Sequence, residues 1–423
     1  MINPLALVLL AAAASVVATE PPAGAITIED AIARALRSQP LADAYRHGAE
    51  ARAAAAWHEA AWSDPVLNVT AERLARLAGP RGENAETSVL VSQRLRIGGG
   101  AARRAAAAGA HQGAAVRDEG LLDIAREVAE AFVEALAAER RWDLAQQAVS
   151  LIERQRAMQE QRAAAGDAAA AASAAARADV AVAHAAAARA GVQVGAARAI
   201  LARLGGDERL AVVALRPPSP LSPAPSADAI ETHPAVVRWL QAARQAQTEI
   251  VATARDRWQP NLGVGAIHDE ADGSTGLVLA LELPLPISSG HRHAAEAARA
   301  RLREAEAMAR AERLRLIDLL DRTARQRVAA EAALQQLLQE ALPAAQEARL
   351  AAVRARDAGA LGEDAVIAAE ERSLAVRREA LTVQVDGWRA WIAQWHAEGH
   401  VPAVAAEAGT DNGGGPAGRS GLP

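Results

Sequence analysis

The chain has 423 residues, of which 51% are apolar, yet only 2% are aromatic and 23% are charged, with a net charge of −5 and a mean hydropathy of −0.01. Alanine supplies most of the apolar share and buries too little area to build a bulky core, so long helices packed through small residues are expected; the charges of both signs among the alanines exclude a spanning apolar helix. The negative balance excludes a polyanion-binding footprint over the whole chain, so no nucleic-acid partner is expected, and the absence of cysteine excludes a disulfide framework, thiolate metal sites, a cysteine nucleophile and lipidation of an N-terminal cysteine.

In chain order, Leu5 to Val17 is an apolar run followed by Ala23-Gly24-Ala25, the pattern of a cleavable signal peptide over residues 1–25, with the mature chain starting near Ile26. A helix is expected from Ile28 to about Trp62, ending before Pro65. Leu67, Val69 and Ala71 then alternate with Asn68, Thr70 and Glu72. After the loop Gly79-Pro80-Arg81-Gly82-Glu83-Asn84, Val89 and Val91 alternate with Ser88 and Ser92. These are two strands, near 65–74 and 87–97. A strand-to-helix turn at Gly98, Gly99 and Gly100 opens a proline-free stretch to Ala165, on the order of 100 Å of helix at ~1.5 Å per residue. Leu121, Val128, Ala135, Trp142 and Val149 recur every seventh position with Phe132 and Leu136 alongside, which reads as a coiled-coil seam, with Trp142 packed in it. Gly166 interrupts the helix, and a second Ala-rich helix returns to Gly205-Gly206.

A Pro-rich linker at 207–226, extended through Arg216-Pro217-Pro218, precedes a second copy of this order at 227–397. Gln39-Pro40 matches His233-Pro234, Asp64-Pro65 matches Gln259-Pro260, Gly100 matches Gly290, and Ala165-Gly166 matches Ala358-Gly359, all offset by about 190–195 residues. In the copy a helix is expected from Ala227 to about Trp258, and strands near 260–268 and 275–287, where Leu277, Leu279, Leu281, Leu283 and Leu285 form one aliphatic face. Pro343 should kink or split the outgoing helix, and the returning helix holds Trp388, Trp391 and Trp395 at core-packing spacing. Trp57, Trp62 and Trp258 precede strand entry and read as interfacial anchors. Residues 398–423 read as a disordered tail. The little bulk available is expected on the four short strands. Four strands cannot close a barrel, and an open edge in lipid is forbidden, so several copies must pool their strands.

On Ile28-Glu29-Asp30-Ala31, Gln39-Pro40, Ser92-Gln93 with Leu95, the glycine cluster, the two Ala-Gly turns and Leu204-Gly205, the chain resembles the TolC-type outer-membrane efflux protein family. That resemblance implies a mainly α fold with a small β part: a tandem repeat of strand pair plus long helical hairpin, trimerising into a twelve-strand transmembrane β-barrel continued by a periplasmic α-helical coiled-coil barrel. It implies a homotrimer in outer-membrane lipid that spans into the periplasm and engages a periplasmic adaptor, or membrane fusion protein, and through it an inner-membrane pump of the proton-driven RND type. Glu282-Leu283-Pro284-Leu285-Pro286 and Leu342-Pro343 upstream of Gly359 look most like the outer-membrane component of cobalt-zinc-cadmium heavy-metal efflux systems, although Gly100 is followed by Ala101-Ala102-Arg103-Arg104 rather than a Lys-Arg pair. The alternatives are an exit duct for drug efflux or type I protein secretion, and, in another class, a soluble periplasmic coiled-coil adaptor.

The resemblance places adaptor docking and pore closure at the two helical turns, on Arg162, Gly166 and Asp167 in the first and on Arg356, Gly359, Leu361 and Asp364 in the second; ordinary helix capping with flanking charge is the competing reading. His268, Asp269, Glu270, Asp272, His291 and His293 lie near the second hairpin without a fixed metal-ligand spacing, and no metal or cofactor is expected there. No phosphate loop, His-Glu-x-x-His or Gly-x-Ser-x-Gly motif is present, so no catalysis is expected.

Overall fold

The computed structural model describes residues 25–72, 86–95, 99–166, 170–218, 228–256, 259–269, 273–283 and 290–399. The signal peptide, the tail from residue 400 and the loop at 79–84 lie outside the described residues. Among the described residues the fold is mainly helical with one small antiparallel sheet, and its elements follow one order twice. The first copy comprises α1 (Ile28–Ser38), α2 (Pro40–Ala60), β1 (Val66–Glu72), β2 (Glu86–Arg94), α3 (Gly99–Ala164) and α4 (Ala170–Gly205). The second comprises α5 (Asp228–Thr232), α6 (Pro234–Asp256), β3 (Asn261–Asp269), β4 (Thr275–Glu282), α7 (Gly290–Gln336), α8 (Leu342–Asp357) and α9 (Glu363–Glu398).

The expected first helix is two helices in each copy. Gln39 is extended, with ψ 124°, because the ring of Pro40 disfavours helical geometry in the residue before it. His233 before Pro234 marks the same break. Thr27 caps α1 reciprocally: its hydroxyl accepts from the Asp30 amide and the Asp30 carboxylate accepts from the Thr27 amide, both at 3.2 Å. Just before Pro343 a π-helical turn over Leu337–Ala341 joins α7 to α8, so the outgoing helix changes its hydrogen-bond pattern where the proline lacks an amide but the chain stays helical.

One compact unit contains Tyr45–Asp118 and Pro234–Leu314, and with them all four strands. The sheet order is β1-β2-β3-β4, every pair antiparallel, so the β2–β3 ladder joins the strand pairs of the two copies. The register aligns Leu67–Val91–Val264–Leu279 and Val69–Val89–Ala266–Leu277 across the sheet. Alternation then gathers every one of these side chains on one face. That face is bare: Leu67, Val69, Val91, Leu277 and Leu279 are all exposed, Leu277 to 85%. The opposite face carries Asn68, Thr70, Ser88, Ser92 and Glu282, with Asn68 donating to Ser92 at 3.3 Å and Asn261 to Glu282 at 3.1 Å. Gly265 lies against the backbone of Val89 and Leu90, where a Cβ could not fit. The helices of this unit meet through small residues: Gly109 faces Ala56, Gly113 faces Ala49, and Ala101, Ala108, Ala298 and Ala305 are buried.

The other unit contains Met1–Ala44, Glu119–His233 and Arg315–Pro423. Here the expectation that bulk sits on the strands needs correction. Phe132, the single phenylalanine, is fully buried, as are Leu122, Val128, Val133, Leu201 and Ile392. The seam residues Leu121, Val128, Ala135 and Val149 are buried as expected, but Trp142 is 39% exposed, lying over Gly191 rather than inside a core. Trp388, Trp391 and Trp395 are half-buried. The first part of the expected linker is packed. Its 3-10 turn, Glu208–Ala211, buries Leu210 completely, and Leu215 pairs with Ile26 in a parallel bridge. Asp207 accepts from Arg34 at 2.7 Å; the Arg209 amide first, and then Arg34, hold its carboxyl below the ordinary value. Arg198, 8% exposed, ion-pairs with Glu139 and donates to the carbonyl oxygens of Leu210 and Val213, fastening this strap to α4. Residues 219–227 lie outside the described residues.

Candidate functional site

The two helical turns expected to carry function belong to the same unit and meet. In the first, α3 ends at Ala164 and Gly166 takes φ +82°, its amide bonded to Ala163 at 3.1 Å. In the second, α8 ends at Asp357 and Gly359 takes φ +72°, its amide bonded to Arg356 at 2.8 Å. Both backbones enter the left-handed region that glycine alone occupies without strain, which is why the Ala-Gly pairs close these hairpins. Asp167 lies outside the described residues.

Arg162, in the last turn of α3, reaches Asp364, in the first turn of α9, at 2.7 Å. Arg356 is held within its own hairpin, at 2.7 Å from Asp357 and 3.0 Å from Glu363, and these two carboxylates, Asp357 first, raise its pKa above the ordinary arginine value. Glu363 and Asp364 also suit the positive N-terminal end of α9. Leu361 is 48% exposed between Ala360 and Gly362, a single aliphatic side chain at the turn. The structure thus brings Arg162 to Asp364 and Arg356 to Glu363, while Leu361 stays half exposed.

Each hairpin has a small core below its turn: Val149, Ala183 and Ala187 between α3 and α4, and Ala352, Val366 and Ala369 between α8 and α9. Further from the turns a second set of polar contacts, not foreseen from the sequence, joins α3 to the α8–α9 hairpin. Glu370 accepts from Arg154 and, at 3.2 Å, from Arg349; Arg377 donates to Gln147 at 3.3 Å; and Arg389 pairs with Glu134 at 2.8 Å. His396 lies 2.9 Å from Asp123, and this hydrogen bond is the main reason the Asp123 carboxyl titrates below its ordinary value.

Two of the histidines considered as metal ligands have structural partners. His268 bonds to Thr275 at 3.1 Å, and the Asp269 amide bonds to Ser274 at 3.0 Å, closing the β3–β4 connection around Gly273. His293 pairs with Glu296 at 3.4 Å. Glu270 and Asp272 lie outside the described residues, and among the described residues no three histidine or acidic side chains gather closely enough to hold a metal ion. Gly99, Gly100 and Gly290 are the first helical residues of α3 and α7 rather than turn positions; Gly98 lies outside the described residues. Trp57 and Trp62 are exposed, to 48% and 59%, and Trp258 lies outside the described residues.

No protein-family profile matches the chain, and no curated protein matches its sequence. Solved structures match its fold over most of both chains. The outer membrane protein VceC of Vibrio cholerae is 19% identical, with a TM-score of 0.70 over 88% of this chain and 96% of its own. The outer membrane channel CmeC of Campylobacter jejuni is 12% identical, with a TM-score of 0.71 over 90% and 88%. The open-state outer membrane channel MtrE of Neisseria gonorrhoeae is 18% identical, with a TM-score of 0.70 over 88% of each chain. At these identities the likeness is one of fold, over most of both chains.

Proposed function

We propose that this chain is one protomer of a trimeric outer-membrane exit duct. The observation that carries the proposal is the sheet: four strands, bare and aliphatic on one face, mixed polar and apolar on the other, with nothing pairing the outer edges of β1 and β4 among the described residues. Such a sheet is stable in hydrocarbon only when its edges are closed by further strands. Strands of 7 to 9 residues approach the ~9–11 that cross a bilayer when tilted, and three copies supply about twelve strands, enough for a barrel with an aqueous lumen. Apolar and polar alternation then assigns the leucine face to lipid and the Asn68–Ser92 face to the lumen. The fold likeness to outer membrane channels supports the same reading.

On this reading the chain does no chemistry. An inner-membrane pump drives cargo through a periplasmic adaptor, which docks at the turns around Gly166 and Gly359. Closure is held by tip ion pairs such as Arg162–Asp364, and opening is a small shift of the hairpins that exchanges those pairs for others. A heavy-metal cation as cargo is the finer reading, supported by the segment Glu282–Pro286 and by Pro343. Fractionation tests the duct: recovery as a heat-modifiable trimer in the outer membrane is expected, and recovery as a soluble periplasmic monomer would overturn it.

A further inference from the structure

We propose that the cleft between α3, α8 and α9 is a binding site for a small oxyanion of the phosphate or sulfate class. The cleft has a volume of about 270 Å³, is partly open to solvent, and is lined by three arginines, Arg154, Arg349 and Arg377, and one carboxylate, Glu370. That carboxylate is largely withdrawn from solvent, its side chain 18% exposed, and it is already spent: it accepts from Arg154 and from Nε of Arg349. The Nη pair of Arg349 is not used in that contact, and Arg377 spends only Nη1, on the neutral amide oxygen of Gln147. Glu153, beside Arg154 in sequence, is engaged by His184 at 3.0 Å and does not line the cleft. The remaining polar lining is also rich in donors, with the hydroxyl of buried Ser373 and the amide of Gln147.

The lining therefore has two positive charges more than its carboxylate neutralises, in a concavity whose protein walls weaken screening. Guanidinium forks match tetrahedral oxyanions bidentately, and a volume of several waters admits one such ion with part of its hydration. A bound oxyanion would tie Arg349 of α8 and Arg377 of α9 to α3, doing on one side of the cleft what Glu370 does on the other. The inference stands on this cleft alone and is independent of the exit-duct reading.

The test is calorimetric titration of the full chain in detergent with inorganic phosphate, against sodium chloride at matched ionic strength, for the wild type, Glu370→Gln and the double variant Arg349→Gln/Arg377→Gln. Phosphate should bind the wild type saturably. Glu370→Gln should lose thermal midpoint in chloride and regain it in phosphate, binding phosphate about tenfold more tightly because Arg154 and Arg349 are released. The double variant should show no saturable heat. Indistinguishable phosphate and chloride responses in the wild type would overturn the proposal, whatever Glu370→Gln does, as would equal phosphate binding by the double variant.

Discussion

Arg162 and Asp364, one at the end of α3 and the other at the start of α9, form a 2.7 Å ion pair that links the turn of one repeat to the turn of the other. Both side chains are nearly half exposed, 42% and 49%, so the pair adds less than about 1 kcal/mol to stability and can exchange partners cheaply. That suits a latch better than a strut. Asp364→Arg should therefore leave trimer yield and heat-modifiability unchanged while raising single-channel conductance in planar bilayers and weakening adaptor-coupled efflux. The swap Arg162→Asp/Asp364→Arg should restore the closed conductance. Unchanged conductance in the single variant would contradict a closing role for the pair.

The leucine face makes a prediction that depends only on strand alternation. Leu279→Arg puts a charge on the proposed lipid side and should cost about 2–4 kcal/mol near the bilayer midplane, seen as loss of the assembled species from outer-membrane fractions. Ala280→Arg, one residue on and facing the other way, should assemble near normally and alter ion selectivity. Equal losses from the two variants would contradict the assignment of faces.

Arg198 is the strap's buried fastening. Arg198→Met keeps much of the volume but leaves the carbonyl oxygens of Leu210 and Val213 and the Glu139 carboxylate without this donor. The expected loss is about 2 kcal/mol, measured as a lower denaturation midpoint, with the segment around Leu210 becoming more accessible to protease.

Asp123 gives a pH signature. Its folded carboxyl titrates below the ordinary 3.8, chiefly through the His396 hydrogen bond, so it stabilises the fold above that pH, and the contribution is lost as pH falls through the folded value. The side chain is about half exposed, which keeps the effect to about 1 kcal/mol. Asp123→Asn should be less stable than the wild type at pH 5, and the gap should narrow steadily below pH 3.8. A gap that widens on acidification would show that the contact has the opposite sign.

The strands and the repeat were legible in the sequence because period-two alternation at Leu67–Ala71 and Leu277–Leu285 is a local signal, and the landmark prolines and glycines recur at one offset. The breaks at Gln39 and His233 are marked by the prolines after them, each of which disfavours helix in the residue before it. The seam through Leu121 and Val128, with Phe132 and Leu136 alongside, was legible from its seven-residue spacing, whereas Leu122, Ile124 and Val133, which are buried with it, fall off that spacing. At the turns, single residues could be named from the Ala-Gly pairs. The partnering of Arg162 with Asp364, and of Glu370 with two arginines, could not, because it depends on how hairpins far apart in sequence pack. Arg198 did carry a signal, a lone arginine between Ala197 and Ala199 on the buried side of α4.

The central claim is that β1 of one copy completes the sheet at β4 of the next, and the chain's lack of native cysteine makes this directly measurable. Thr70→Cys on β1 and Val278→Cys on β4, combined in one chain and treated in outer-membrane fractions with a flexible bis-maleimide, should give covalent dimer and trimer bands and nothing larger, while neither single variant does so. Monomer alone, or a ladder continuing beyond three, would contradict a closed three-copy barrel.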